Sequence, residues 1–177
     1  MKELLKLARQ TLESYFENKR LEVNEDIKKK YSKKQACFVT LIKNSELRGC
    51  IGSIYPHQEL WKDVIENTKN AAFSDPRFLP LEKEELKEIK IEISVLSPLK
   101  KIDYKNIEEL KEKIYKKGVL IKKGFLSATY LPQVWESLKD KDEFLNSLCL
   151  KAGLAEDSWK KSRLEVFIYT VKKTIEI

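Results

Sequence analysis

The run Leu47-Arg48-Gly49-Cys50-Ile51-Gly52 constrains the fold of this chain more than any other segment. Two of the five glycines flank a cysteine, and they follow one of only five arginines among 35 basic residues. Glycine tolerates positive φ and admits another backbone or a ligand at close range. Two glycines only three residues apart therefore predict an irregular, bulged strand. Such a strand can hold a thiol and a guanidinium in a fixed relation.

Length and composition indicate a compact globular protein. The chain has 177 residues, of which 42% are hydrophobic and 36% charged, and only five are proline. No stretch has the composition of a linker, so we expect a single domain over residues 1–177, built as two interleaved lobes without a flexible connection. The first residues alternate charged and apolar side chains and contain neither a signal peptide nor a membrane span, which predicts a cytoplasmic protein without a membrane partner.

Periodicity predicts an α+β fold, with helices packed on a mainly antiparallel sheet and two closely packed lobes. The spacing of apolar residues indicates helices over residues 1–17, 57–74, 107–118 and 144–153 and a helical turn over 80–86. Alternation and β-branched content indicate strands over residues 36–42, 47–55, 89–95, 119–121, 126–130 and 164–177. Asn106 is the expected N-cap of the third helix, and Gly118 its expected C-terminal cap.

Cys50 is the candidate catalytic residue. Arg48 lies two positions away, on the same face of a regular strand, and a nearby cation lowers the pKa of a thiol. The alternative is a small core residue beside the glycines, since free cysteine is usually buried. His57 could serve as a base for Cys50, but a single histidine at a helix start is more often exposed or capping.

The cysteines and the histidine also limit which metal sites are possible. Three cysteines far apart and one histidine fit neither a disulfide framework nor a common zinc site, so no metal is predicted. Any metal would need carboxylates such as Glu92. No residue pattern indicates a particular cofactor.

Two arginines stand out against 30 lysines, because a guanidinium makes two parallel bonds to a carboxylate or phosphate. Arg48 lies in the glycine-rich strand, and Arg77 follows the second helix in the run Asp75-Pro76-Arg77-Phe78. With Gly49, Gly52 and Asp75, they are expected either to bind an anionic substrate or to structure the site. The structural alternative is an ion pair of one arginine with Asp75 that locks the helix end to the strand.

Several motifs together resemble the AMMECR domain family. They are Arg48-Gly49-Cys50-Ile51-Gly52, residues 71–78, residues 91–96, residues 131–134 and residues 149–154, which occur in the family's order over about residues 36–159. The resemblance implies an α+β domain of two packed lobes, with characteristic residues around the glycine-rich strand, but no established reaction. Microbial members are grouped with Memo-like and radical-SAM proteins, which makes these possible partners in a small-molecule or modification pathway.

Three functions are consistent with the sequence. The first is a cytosolic enzyme or pathway component that acts on a small or anionic molecule around Cys50. The second is a non-catalytic adaptor that presents the bulged strand to a protein partner. The third is a nucleic-acid-binding module, favoured by the net charge of +7 but opposed by the even spread of 28 acidic residues.

Overall fold

The computed structural model describes all residues from 1 to 177. Its α-helices are α1 (Lys2–Phe16), α2 (Glu25–Lys30), α3 (Leu60–Phe73), α4 (Ile107–Ile114), α5 (Lys141–Lys151) and α6 (Ser158–Lys161). Its strands are β1 (Cys37–Lys43), β2 (Glu46–Gly52), β3 (Ile89–Leu96), β4 (Lys100–Ile102), β5 (Gly118–Lys123), β6 (Leu126–Tyr130), β7 (Glu165–Tyr169) and β8 (Val171–Ile175). Two 3₁₀ turns, Lys83–Lys87 and Pro132–Glu136, complete the α+β fold that the sequence predicts.

The chain divides into two compact units. The first comprises residues 1–96 and 172–177, and the second comprises residues 97–171. The interpretation of the whole chain as one domain stays a prediction. None of the six helices combines the length and the apolar character needed to cross a membrane.

The first unit is a four-stranded sheet, in the order β2-β1-β3-β8, with α1 and α3 on one face. Alternate residues of a strand point to opposite faces, so Val39 and Leu41 of β1 bury their side chains among the leucines of α1 and the apolar residues of α3. The alternating residues Phe38 and Thr40 lie on the other face, which we call the outer face. That face carries the polar groups described below.

The β1–β2 hairpin combines a tight turn with a bulge. Asn44 and Ser45 both have positive φ, as a two-residue type I′ turn requires. Leu41 pairs with Gly49 but Ile42 pairs with Leu47, so Arg48 is an extra residue in β2. The predicted bulge is therefore present, and it falls at the arginine.

The second unit is a four-stranded sheet in the order β4-β7-β5-β6, with α4 and α5 contributing to its core. Trp135 and Phe144 stack with ring centroids 3.8 Å apart in that core. The Asn106 side chain accepts a hydrogen bond from the Glu109 N–H at 2.9 Å, so the predicted N-cap of α4 is confirmed.

Four predicted boundaries are wrong. The segment 164–177 is not one strand, because β7 and β8 lie in different sheets and the chain changes sheet at Thr170. Gly118 does not cap α4 but begins β5, where a Cβ would lie 2.3 Å from the ring of Tyr169. The helix expected from His57 begins at Leu60, and β2 ends at Gly52 rather than at Tyr55.

Candidate functional site

Arg48, the extra residue of the β2 bulge, is held in place by the hydrogen bonds of its guanidinium group. Its Nε and Nη2 donate to the two carboxylate oxygens of Glu85 at 2.9 and 2.8 Å, and its remaining bonds go to the carbonyls of Leu79 and Pro80. Only 16% of the Arg48 side chain is exposed. The bidentate bond lowers the pKa of Glu85 to about 2. Arg48 therefore structures the site and has no free edge for an anion.

Asp75 and Arg77 form a second bidentate pair. Arg77 Nε and Nη2 donate to Oδ1 and Oδ2 of Asp75 at 3.0 and 2.7 Å, and Nη2 also reaches the carbonyl of Cys50. Hydrogen bonds from Arg77, with those from two backbone N–H groups, hold the pKa of Asp75 far below its usual range. Asp75 is buried, whereas 54% of the Arg77 side chain is exposed and its Nη1 makes no hydrogen bond. Arg77 thus combines a structural role with an accessible edge.

The two glycines of the segment provide space. A Cβ on Gly49 would lie 2.2 Å from the carbonyl oxygen of Ala71, and one on Gly52 would lie 2.3 Å from the ring of Phe38. Neither glycine has the positive φ considered from the sequence. Gly49 lets α3 approach β2, and Gly52 admits an aromatic ring, so both are site-structuring residues.

Cys50 is partly buried on the outer face, opposite Thr40 of β1. Its Sγ accepts a hydrogen bond from the Thr40 hydroxyl at 3.2 Å. Burial raises the pKa of the Cys50 thiol, outweighing the opposite effects of Thr40 and Arg77, and the charges of Asp75 and Glu92 add to the rise. Arg48, which is bonded to Glu85, is not among the groups that act on this thiol, and the net rise in the pKa of Cys50 favours its protonated form.

Polar side chains form a row across the outer face. Thr40 pairs with Cys50 of β2 on one side and with Glu92 of β3 on the other. The Glu92 carboxylate, only 8% exposed, is paired with Lys173 Nζ of β8 at 2.8 Å. We call Cys50, Thr40, Glu92 and Lys173 the polar row; it runs across all four strands of the sheet.

A buried hydroxyl adjoins the polar row. Ser94 lies two residues from Glu92 in β3, hence on the same face, and it is buried. Its Oγ has no hydrogen-bond partner. A buried hydroxyl without a partner is costly, but Ser94 is not among the residues that line the cavity beside the polar row.

A cavity of about 590 Å³ opens beside the polar row. Its lining includes Glu92 and Lys173 but not Cys50, and consists of Ile42, Asn44, Ser45, Glu88, Lys90, Glu92, Lys173 and Ile175. The size falls in the range of small-molecule sites. The polar row thus reaches from a thiol at one end to a ligand-sized cavity at the other.

Other candidate residues do not join this site. His57 faces Asp63, with 3.6 Å between Nε2 and Oδ1, and makes no hydrogen bond to Cys50, so the structure contains no thiol–imidazole pair. Cys37 and Cys149 are buried in the cores of the two units, as expected. No three histidine, cysteine or acidic side chains are grouped closely enough to hold a metal ion.

Sequence reasoning anticipated an ion pair of Arg77 with Asp75, but it missed the partners of Arg48 and Glu92. Glu85 lies in the 3₁₀ turn 37 residues beyond Arg48, and Lys173 lies about 80 residues beyond Glu92. Thr40 alternates with buried apolar residues in β1, and that alternation is the signal that could have placed it on the outer face. For Glu85 and Lys173 the sequence contained no comparable signal, because many acids and lysines have similar neighbours.

The chain matches known proteins over nearly its whole length. The sequence model of the AMMECR1 family matches residues 5–174. A protein of Nanoarchaeum equitans is 42% identical over 170 residues, covering 94% of each chain, and one of Aquifex aeolicus is 39% identical, covering 96% of this chain and 89% of the other. The crystal structure of an uncharacterized protein from Pyrococcus horikoshii superposes with a TM-score of 0.87 at 35% identity, covering 98% of this chain and 89% of that one.

Proposed function

The chain belongs to the AMMECR1 family, and we propose that it is a cytoplasmic enzyme, or a component of a small-molecule or modification pathway, that acts on a small molecule at the polar row. The observation that carries the proposal is the row itself, which aligns a thiol, a hydroxyl, a buried carboxylate and an ammonium on one sheet face. The pathway would include the Memo-like and radical-SAM proteins that the resemblance suggests.

The ion pair between Glu92 and Lys173 supports a functional role for the outer face. Taking the Glu92 carboxylate out of water costs several kcal/mol, and well-packed apolar residues are often at least as stabilising as such a pair. Stability alone therefore gives little reason for a charged pair at this position. A positioned carboxylate and ammonium beside a cavity are common elements of sites that bind or transform small molecules.

The chemistry of Cys50 favours proton donation over nucleophilic attack. The raised pKa keeps the thiol protonated, and Sγ accepts from Thr40, so the S–H proton remains available to a ligand. In the proposed step, that proton moves from Sγ to a substrate atom that gains negative charge, and solvent then returns a proton to the thiolate. Arg77 Nη1, free and exposed beside the Cys50 carbonyl, would donate a hydrogen bond to an uncharged oxygen of the substrate.

Labelling of Cys50 with iodoacetamide tests the protonation state. The two other thiols are buried, so the signal of the folded protein should disappear in Cys50→Ser. The labelling rate should still be rising above pH 9, and Arg77→Ala should move the profile to higher pH because a charge that stabilises the thiolate is lost. A plateau below pH 8 would instead indicate an activated nucleophile and would contradict proton donation.

Metabolite profiling tests the enzyme assignment. The purified protein is incubated with a small-molecule extract, and consumption is compared among wild type, Cys50→Ser and the control Arg163→Lys, whose single ion pair is exposed. At least one compound should be consumed by wild type and control but not by Cys50→Ser. Turnover by Cys50→Ser equal to that of wild type, at an unchanged melting temperature, or no turnover by wild type, would overturn the assignment.

Nucleic-acid binding is a second candidate with one supporting observation. A cavity of about 260 Å³ in the second unit is lined by lysines and an arginine together with Tyr104 and Trp159, a combination suited to phosphates and stacked bases. Three of its four cations are paired with acids, among them Lys160 with Asp142 and Lys161 with Asp157. The candidate therefore ranks below the enzyme, and lack of binding to a mixed RNA and single-stranded DNA pool at low salt would remove it.

A further inference from the structure

We infer that the cavity beside the polar row binds an organic monoanion with an apolar body, and that Lys90 holds its charged group. The inference rests on the proposed function for the role of the outer face and adds the chemical class of the ligand. It depends on the charges and apolar surfaces of the cavity lining.

The lining contains two lysines and two glutamates, but three of the four are already paired. Glu92 is paired with Lys173 at 2.8 Å, and Glu88 with Lys43 of β1 at 2.9 Å. Lys90 has no acidic partner and is exposed. The cavity therefore has one uncompensated positive charge and no free carboxylate, which favours an anion over a cation.

The pair at the cavity wall can assist this contact. Lys173 is 51% exposed, and an ammonium has three donors, so Nζ can remain bonded to Glu92 while offering another hydrogen to a ligand. The ion pair with Glu92 thereby positions Lys173 and neutralises its charge, so the charge of Lys90 remains the one uncompensated charge of the cavity. A ligand with one negative charge matches this balance better than a dianion.

The rest of the lining is apolar at one side and polar at the rim. Ile42 and Ile175 contribute aliphatic surface, and Ile175 is 42% exposed. Asn44 and Ser45, in the hairpin turn, place an amide and a hydroxyl at the edge. Burying aliphatic surface contributes about 25 cal/mol per Å², so a ligand with an alkyl or ring body gains affinity that inorganic phosphate cannot.

Hexanoate is a suitable probe, with 1-hexanol as its uncharged counterpart and inorganic phosphate as an anion without an apolar body. Binding to the full chain is followed by amide chemical shifts in two-dimensional NMR. Hexanoate should shift the amides of Ile42, Asn44, Ser45, Lys90 and Ile175 at millimolar concentrations, and 1-hexanol and phosphate should bind at least fivefold more weakly. Equal binding of the alcohol, or no shift of these amides, would overturn the inference.

Three variants test this inference and separate it from the proposed function. Lys90→Ala should weaken hexanoate at least fivefold, whereas Lys87→Ala, an exposed lysine outside the lining, should change the affinity by less than twofold. Unchanged affinity in Lys90→Ala would assign the binding to another site and overturn the inference. Cys50→Ser should retain hexanoate binding because Cys50 is outside the lining, so failure of the thiol chemistry and failure of the anion site give different results.

Discussion

The carboxylate of Asp75 accepts a hydrogen bond from the backbone N–H of Cys50 at 2.9 Å, although 25 residues separate them. The same carboxylate holds Arg77, which in turn donates to the Cys50 carbonyl. Asp75 and Arg77 thus bond to both backbone polar groups of Cys50. This clamp, and not the glycines alone, fixes the position of the thiol in β2.

Loss of the Asp75 charge should destabilise the protein. Asp75→Asn leaves Arg77 without its anion. It also replaces one accepting oxygen by an NH2 group, which cannot accept the hydrogen bonds donated at this position. We therefore expect the free energy of unfolding to fall by about 2–3 kcal/mol. Urea denaturation followed by tryptophan fluorescence measures the change. Asp103→Asn is the control, because its ion pair with Arg163 is exposed and should be worth less than about 0.5 kcal/mol. Equal effects of the two variants would contradict the structural role of Asp75.

Gly49 should tolerate no side chain. A Cβ at this position would overlap the Ala71 carbonyl, which belongs to the backbone of α3 and cannot rotate away. Gly49→Ala should therefore separate β2 from α3 and lower the free energy of unfolding by about 3 kcal/mol or prevent folding. In Gly124→Ala, the new Cβ meets open space and only the positive φ is strained, so a loss of about 1 kcal/mol is expected. Thermal denaturation compares the two, and a milder effect at Gly49 would contradict the close approach.

Much of the first unit could be predicted because local patterns determined it. The apolar stripe of α1, the β-branched and aromatic run of β1, the alternating isoleucines of β3 and the glycine-rich bulge of β2 each appear in consecutive residues. The single strand predicted over 164–177 failed for the opposite reason. Its β-branched residues favour a strand throughout, and only the tertiary structure directs β7 and β8 to different sheets.

Local spacing proposes which residues belong to the candidate site, but it does not determine how they interact. Arg48 and Cys50 lie two residues apart, and on a regular strand they would share a face. Because of the bulge, the Arg48 side chain points toward Glu85 and not along the face that carries Cys50. Arg48 therefore does not act on the thiol as an activating cation. Whether a charge activates a neighbour or is bonded elsewhere depends on a long-range partner, and local spacing does not contain that information.

Stability at acidic pH should depend on Glu85. Its pKa is about 2 in the folded protein, below its ordinary value, so the unfolded chain binds the proton more readily. The stabilisation by the Arg48 pair is therefore complete above about pH 4.5 and is lost as the pH falls toward 2. After allowance for solvent screening, we expect a loss of about 1–2 kcal/mol. Glu85→Gln should flatten this part of the stability profile in urea titrations from pH 5 to 2.5, whereas Glu84→Gln, an exposed neighbour, should leave it unchanged.

The Glu92–Lys173 pair should show strong coupling in a double-mutant cycle. Lys173→Met leaves a buried carboxylate without its cation, and the free energy of unfolding should fall by about 2 kcal/mol, less than for a fully buried pair because Lys173 is half exposed. Glu92→Gln in the same chain removes the stranded charge and should restore most of that loss, giving a coupling energy above about 1 kcal/mol. Lys172→Met, on the opposite face of β8, is the control and should be additive with Glu92→Gln. Additivity of Lys173→Met and Glu92→Gln would mean that the pair contributes nothing to stability.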